Sequence, residues 1–173
     1  LAETYDDIVL GYPSVDRDAL AALGASADKA SRITLMIDDL AQLDLVDNVI
    51  APGQRPEIRV AIDADASWRA PVLGHIGVRR SPVHDLVEVA RLARAVAARP
   101  GFRLVGLMMY EAQIAGQPDD TGSGDAVVRW MQRRSTDELR ERRGAIVAAV
   151  RNVVDLEFVN GGGTGSLEYT ASD

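Results

Sequence analysis

The chain has 173 residues, 47% of them hydrophobic and 26% charged, which provides for one sizeable core and, by default, a single domain. Nineteen basic against 26 acidic side chains leave a net charge of −7, which repels a nucleic-acid backbone, so no nucleic-acid partner is expected. The absence of cysteine excludes disulfides, thiolate nucleophiles and cysteine-ligated metals.

No window approaches the roughly 20 apolar residues of a membrane span. The opening LAETYDDIVL lacks the basic start and apolar middle of a signal peptide. A cytoplasmic protein with no membrane partner is expected.

Taken in chain order, apolar runs of strand length alternate with helical patterns. DIVLG, 7–11, reads as the first strand and is followed by Pro13 and a short helix opening near Asp16. ITLMID, 33–38, reads as the second and leads into a helix over 40–50, in which Leu40, Leu43, Val46, Val49 and Ile50 fall on one face. IRVAID, 58–63, is the third, and it runs out through DADAS into a long irregular connection up to Pro82. The helix in HDLVEVARLARAVAARPG repeats Leu86, Val89, Ala90 and Ala93 and is stopped by Pro100 and Gly101. FRLVGLMMY, 102–110, is the fourth strand. After the loop QPDDTGSGD the sequence turns helical, and STDE at 135–138 predicts a capping box with a restart at Ser135. LEFVN, 156–160, is the fifth strand and delivers the chain to three glycines.

Most of these strands are apolar along their whole length, as parallel strands covered on both faces are, so the expected class is α/β. Each strand also ends in residues with chemistry (GYP, IDD, DADAS, YEAQ, NGGGTG), whereas the loops entering the strands are bland. That asymmetry belongs to a (β/α)8 TIM barrel, whose site is built at the C-terminal ends of its strands, and a closed barrel takes about 250 residues. About five βα units therefore predict a partial barrel. Residues 1–173 read as its central to late part, starting at Leu1 rather than Met, with strands expected before Leu1 and after Asp173.

The run NGGGTGS, 160–166, follows a buried strand directly. Glycine permits positive φ and close approach, so N–H groups from Gly162 to Gly165, with the hydroxyl of Thr164 or Ser166, suit a phosphate-binding concavity at such a rim. A flexible turn is the alternative. Arg79 and Arg80, in GVRRSP, are either solvated or placed so that a guanidinium fork meets a phenolate or carboxylate. Asp63 and Asp65 share a strand face and suit acid and base roles or partnership with those arginines. Tyr110 and Glu111 end a buried strand, where the ring is either core or rim. His84 reads as a surface residue of a first helical turn and His75 as a loop residue able to face the site. The two make no recognisable metal site. Trp68 and Trp130 read as packing residues.

In this order and at these spacings, IDADASWR, GVRRSP, GLMMYEAQIAG and FVNGGGTGS resemble the pyridoxal-phosphate proteins of the alanine racemase N-terminal barrel type. They are most similar to the amino acid aldolase, D-serine dehydratase-like (deaminase) and D-threonine aldolase-like branch. The resemblance spans nearly the whole chain and implies a fold type III barrel with pyridoxal 5'-phosphate at the strand C-termini. By the same resemblance, Asn160, Gly162, Gly163, Thr164, Gly165 and Ser166 would hold the cofactor phosphate. Tyr110 would lie against the pyridine ring. Arg80 would approach the ring hydroxyl with Asp63 as its orienting partner, Arg79 being the competing choice, and Gln113 would reach toward the substrate. A divalent metal, through a C-terminal β-domain that this chain lacks, and a homodimer are also implied.

Covalent chemistry of that kind needs a lysine amine, and the only lysine, Lys29, precedes the second strand at the opposite end of the barrel. The Schiff-base lysine is therefore expected outside the chain, with no catalytic residue within it. Three readings follow in order. The chain is a segment of a lyase or deaminase acting on small D-hydroxy amino acids; or a truncated, non-catalytic protein that binds pyridoxal phosphate or another phosphate; or a barrel enzyme for a phosphorylated substrate with Asp63 and Glu111 as acid and base.

Overall fold

A computed structural model describes residues 4–70, 74–76, 79–110 and 126–161, with side chains described for all of these except 68, 70, 74–76 and 126–137. Five strands form one sheet: β1 (Ile8–Val9), β2 (Ile33–Ile37), β3 (Ile58–Asp63), β6 (Phe102–Met108) and β7 (Phe158–Asn160). They lie in the order β1-β2-β3-β6-β7, and every neighbouring pair is parallel. The order advances in one direction without reversal, unlike a doubly wound sheet, and the sheet curls as half of a barrel does. The class is α/β.

The helices between the strands are α1 (Arg17–Gly24), α2 (Ala27–Arg32), α3 (Leu40–Val49), α4 (Leu86–Ala97) and α5 (Ala126–Arg151). Three of them start where an aspartate accepts the otherwise unpaired N–H groups of a first turn. Asp16 takes the N–H groups of Asp18 and Ala19 at 3.1 and 3.0 Å. Asp39 with Gln42, and Asp85 with Glu88, form reciprocal capping boxes. The helix restart expected at Ser135 does not occur. Residues 135–138 lie inside α5, which runs unbroken from Ala126 to Arg151, because one long helix spans the distance from the end of β6 back to the start of β7.

The connection after β3, expected to be irregular up to Pro82, contains an antiparallel hairpin of β4 (Trp68–Ala70) and β5 (Gly74–Ile76). Its partners are local to each other, which is why it forms a second sheet and leaves the parallel one uninterrupted.

The core lies between the sheet and its helices. Val60, Ala61 and Ile62 of the central strand are fully buried, with Leu43 of α3, Val89, Ala93 and Val96 of α4 and Ile146 and Val150 of α5 packed around the sheet. β6 meets β7 through a glycine: an atom at the Cβ position of Gly106 would lie 2.2 Å from the Phe158 ring, so the ring crosses β6 only because that side chain is absent.

At the N-terminal edge of the sheet a charged group serves the fold. The Arg55 guanidinium is out of contact with solvent, pairs with Asp47 Oδ1 at 2.6 Å, donates to the carbonyls of Ile50 and Gly101, and stacks 4.3 Å from the Phe102 ring centroid. Gly101 takes a φ of +80°, which glycine adopts without strain, and so brings its carbonyl to that guanidinium.

Candidate functional site

The C-terminal ends of the strands bring together Gly11 and Tyr12 after β1, Asp38 after β2, Asp63 and Asp65 at and after β3, Met109 and Tyr110 after β6, and Asn160 and Gly161 at the end of β7. Backbone bonds hold this rim in register: Ala64 N–H donates to Met108 O at 2.8 Å, and Met109 N–H to Asn160 O at 2.8 Å.

Arg80 ties the rim together. Its Nε donates to Asp63 Oδ2 at 2.8 Å, and its Nη2 donates to the carbonyl of Gly11 and faces Met108 Sδ at 3.7 Å. The guanidinium carbon stands 4.3 Å from the Tyr12 ring centroid and 5.3 Å from that of Tyr110, within cation–π range of both. Two nitrogens are thus pinned by a carboxylate and a carbonyl. Nη1 meets no acceptor among the described residues. The result is a rigid donor between two phenol rings.

Asp63 is wholly buried. Its Oδ2 serves Arg80, whereas Oδ1 has no hydrogen-bond partner among the described residues. Burial raises its pKa above the ordinary carboxylate value, opposed by the hydrogen bond and charge of Arg80 and assisted weakly by Asp38 and Asp65.

Of the residues singled out in the sequence, the structure brings Arg80, Asp63 and Tyr110 together. Arg79 is exposed, and Arg80 is the arginine that meets Asp63. Asn160 is exposed at the end of β7, its carbonyl engaged by Met109. Gly162, Gly163, Thr164, Gly165, Ser166, Glu111 and Gln113 lie outside the described residues, as do the side chains of His75, Trp68 and Trp130. Lys29 is exposed on α2, which enters the N-terminal end of β2 and thus the edge opposite the rim.

Two expectations need correction. Among the described residues Asp65 does not pair with an arginine through its carboxylate. Its oxygens accept the N–H of Ser67 at 3.1 Å and the hydroxyl of Ser67 at 2.6 Å, closing a local turn. His84 is not a surface residue. It is 8% exposed, and its Nε2 stands 3.0 Å from the carbonyl of Ser67. Burial, and after it the charge of Arg142, hold its pKa below the ordinary imidazole value.

The sequence reading missed three participants. Tyr12 sits in the GYP that ends β1, but nothing in its spacing announces that it covers an arginine 68 residues further on. Arg142 and Arg143 belong to ELRERR, which has the look of a solvated helix face. Arg142 instead bonds carbonyls after β3, and the Arg143 guanidinium packs against Gly161, whose Cβ position lies 2.5 Å from Arg143 Nη2. A side chain at 161 would have to displace that guanidinium.

No protein-family model matches the chain, and no significant match is found among curated proteins. The fold and rim by themselves define a parallel α/β protein with a buried carboxylate, an oriented guanidinium and two flanking phenols at the C-terminal ends of its strands. Among the described residues no cluster of acidic residues and histidines is disposed to hold a metal, and no helix is long and apolar enough to cross a membrane.

Proposed function

We propose that the chain is a segment of a pyridoxal-phosphate-dependent amino acid lyase or deaminase of the D-threonine aldolase or D-serine dehydratase kind, built on a (β/α)8 barrel and acting on small D-hydroxy amino acids. The observation that carries this reading is Arg80, fixed through Asp63 Oδ2 and Gly11 O with Nη1 turned to no protein acceptor among the described residues and phenol rings on either flank.

The residues fit the cofactor's aromatic part. A flat ring bearing an ionised hydroxyl matches a planar donor whose orientation is set before the ligand arrives, since less conformational freedom is lost on binding. Arg80 would meet the ring hydroxyl, Tyr110 would lie along the ring, and Tyr12 would cover the outer side of Arg80. Gly161, packed against the Arg143 guanidinium, begins the run assigned to the phosphate, which continues through Gly162, Gly163, Thr164, Gly165 and Ser166. When bound, the cofactor supplies an electron sink for bonds at the substrate's α-carbon. The chain's own contribution is to bind, orient and hold charge. Asp63 keeps the guanidinium in place, and that guanidinium opposes the rise that burial gives the carboxyl's pKa.

The amine that anchors the cofactor would come from a strand outside these residues, because Lys29 stands at the opposite edge. That same position of Lys29 favours a second reading, a non-catalytic protein that binds pyridoxal phosphate or phosphate. Homodimerisation, a metal held by a further domain and a cytoplasmic location belong to the first reading as proposals.

Titration with pyridoxal phosphate tests both. Saturable binding that Lys29→Ala leaves unchanged and Arg80→Ala weakens about tenfold or more is expected, from loss of a charge-assisted hydrogen bond. Binding indifferent to Arg80 would remove the assignment. Reading the peptide that precedes Leu1 in the natural polypeptide, by intact mass and sequencing, then separates the readings: a strand ending in lysine supports the lyase, and its absence supports binding alone.

A further inference from the structure

We propose that Arg142 is a positioning residue that latches the base of the excursion between β3 and α4, so that Arg80 is presented at the rim, and that His84 makes this latch sensitive to pH. The inference stands whatever ligand Arg80 receives.

The excursion leaves β3 after Asp63, carries the hairpin β4–β5 and Arg80, and returns at His84. One guanidinium spans its two legs. Arg142 Nη1 donates to the carbonyl of Asp65 at 2.7 Å on the outgoing leg and to that of His84 at 3.2 Å on the returning leg. Nη2 donates to the carbonyl of Ser67 at 2.9 Å, and Nε to Glu138 Oε1 at 2.7 Å within α5. A planar fork with donors on three nitrogens can do this, whereas a lysine ammonium, a single point of charge, cannot reach all three carbonyls at once. Beside the latch, Asp65 N–H donates to Val83 O at 2.7 Å, and Val83 N–H to the buried Ser81 Oγ at 3.1 Å. Arg80 is the residue immediately before Ser81. Asp63 and Asp65 on one leg therefore face Arg80 and Val83 on the other across an ion pair and a backbone bond, and Arg142 closes the end of that ladder.

The pH dependence follows from the shared carbonyl. Ser67 O lies 3.0 Å from His84 Nε2 and 2.9 Å from Arg142 Nη2, so a neutral imidazole donating from Nε2 is compatible with the latch. The charged groups about His84 are Arg142 and Glu138 from α5, the Asp65 carboxylate, Arg69 of β4, and Asp85 and Glu88 at the start of α4, where Glu88 Oε2 accepts the His84 N–H at 3.0 Å. Asp65 is already committed to Ser67, Glu138 to Arg142 and Glu88 to backbone. A proton on His84 therefore adds a second cation next to Arg142 at one carbonyl, and the latch loosens in acid.

Amide hydrogen exchange on the whole chain reads the latch at the N–H groups of Asp65 and Ser67, with strand amides of β2 as the internal reference for global opening. In Arg142→Ala those two amides are expected to exchange about tenfold faster or more at neutral pH while β2 is unchanged, as charge-assisted bonds to three carbonyls are lost. In the same variant Arg80 should gain reactivity toward phenylglyoxal, read by peptide mass. Arg142→Lys keeps the charge without the fork and should also exchange faster, and it decides the matter should the alanine variant fail to fold. In the wild type, protection of the two amides corrected for intrinsic rate should fall between pH 7.5 and 5.5, whereas His84→Gln, which keeps a donor for Ser67 O but cannot be protonated, should show no such fall. Wild-type exchange in Arg142→Lys, unchanged Arg80 reactivity, or an identical pH dependence in His84→Gln would each overturn the proposal.

Discussion

Arg80 Nε stands 2.8 Å from Asp63 Oδ2, and the other oxygen of that buried carboxylate meets no donor among the described residues. The pair is therefore asymmetric: Asp63 depends on Arg80 for its charge balance, whereas Arg80 has further ties to Gly11 and two aromatic rings. Arg80→Ala leaves the carboxylate buried and uncompensated, which is expected to cost about 3 kcal/mol or more at neutral pH. The loss should shrink in acid. A buried acid whose folded pKa is raised has its stability fully present below the unfolded value of 3.8 and loses it as pH rises through the folded value. Urea unfolding of wild type and variant at pH 7 and pH 5 checks both size and sign.

His84 acts with the opposite sign. Its folded pKa is depressed below 6.5, so the unfolded chain takes up the proton first, and stability is lost as pH falls from about that value through the folded one. Thermal midpoints measured from pH 8 down to 5.5 should decline in the wild type and decline less in His84→Gln. Equal slopes would mean that His84 does not titrate as its surroundings dictate.

The contact between β6 and β7 rests on a missing side chain. Gly106→Ala would place Cβ 2.2 Å from the tip of the Phe158 ring, and overpacking of this kind costs about 1–3 kcal/mol. Combining it with Phe158→Leu should recover part of the loss, and a double-mutant cycle on unfolding free energies should show coupling between the two positions. Additive losses would contradict the close approach.

At the opposite edge, Arg55→Ala removes a guanidinium that holds Asp47, two carbonyls and the Phe102 ring, and should destabilise the protein by about 3 kcal/mol. Affinity for pyridoxal phosphate in the folded variant should not change, since chemistry in a barrel-like sheet gathers at the C-terminal ends of its strands. A fall in affinity matching that of Arg80→Ala would place the binding determinants elsewhere.

How legible these features were depended on how local they are. The strands at 33–38 and 58–63 appear as Ile33–Ile37 and Ile58–Asp63, and the helix at 40–50 as Leu40–Val49, because an apolar run or a 3.6-residue stripe is a property of neighbouring residues. The aspartate caps at Asp39 and Asp85 are equally local. STDE at 135–138 carries the same local signal, yet it lies inside α5, where a helix built to cross the whole layer overrides a propensity of about 1 kcal/mol. Between Ser67 and Pro82 no periodicity announces β4 and β5, whose strands are three residues each.

Neighbouring residues alone dictate the α/β class, the alternation of strands and helices, and the concentration of polar chemistry where strands end, since each is written in positions a few apart. Which distant residues share the rim is a matter of tertiary packing. Arg80 meets Gly11 and Asp63, Tyr12 covers Arg80, and Arg142 reaches Asp65 and His84, because parallel strands in sequential order set their C-terminal ends side by side and a long helix returns across them. Whether an arginine in ELRERR is solvated or clamps three carbonyls depends on what the sheet places opposite it, and that information is absent from its own neighbourhood in the chain.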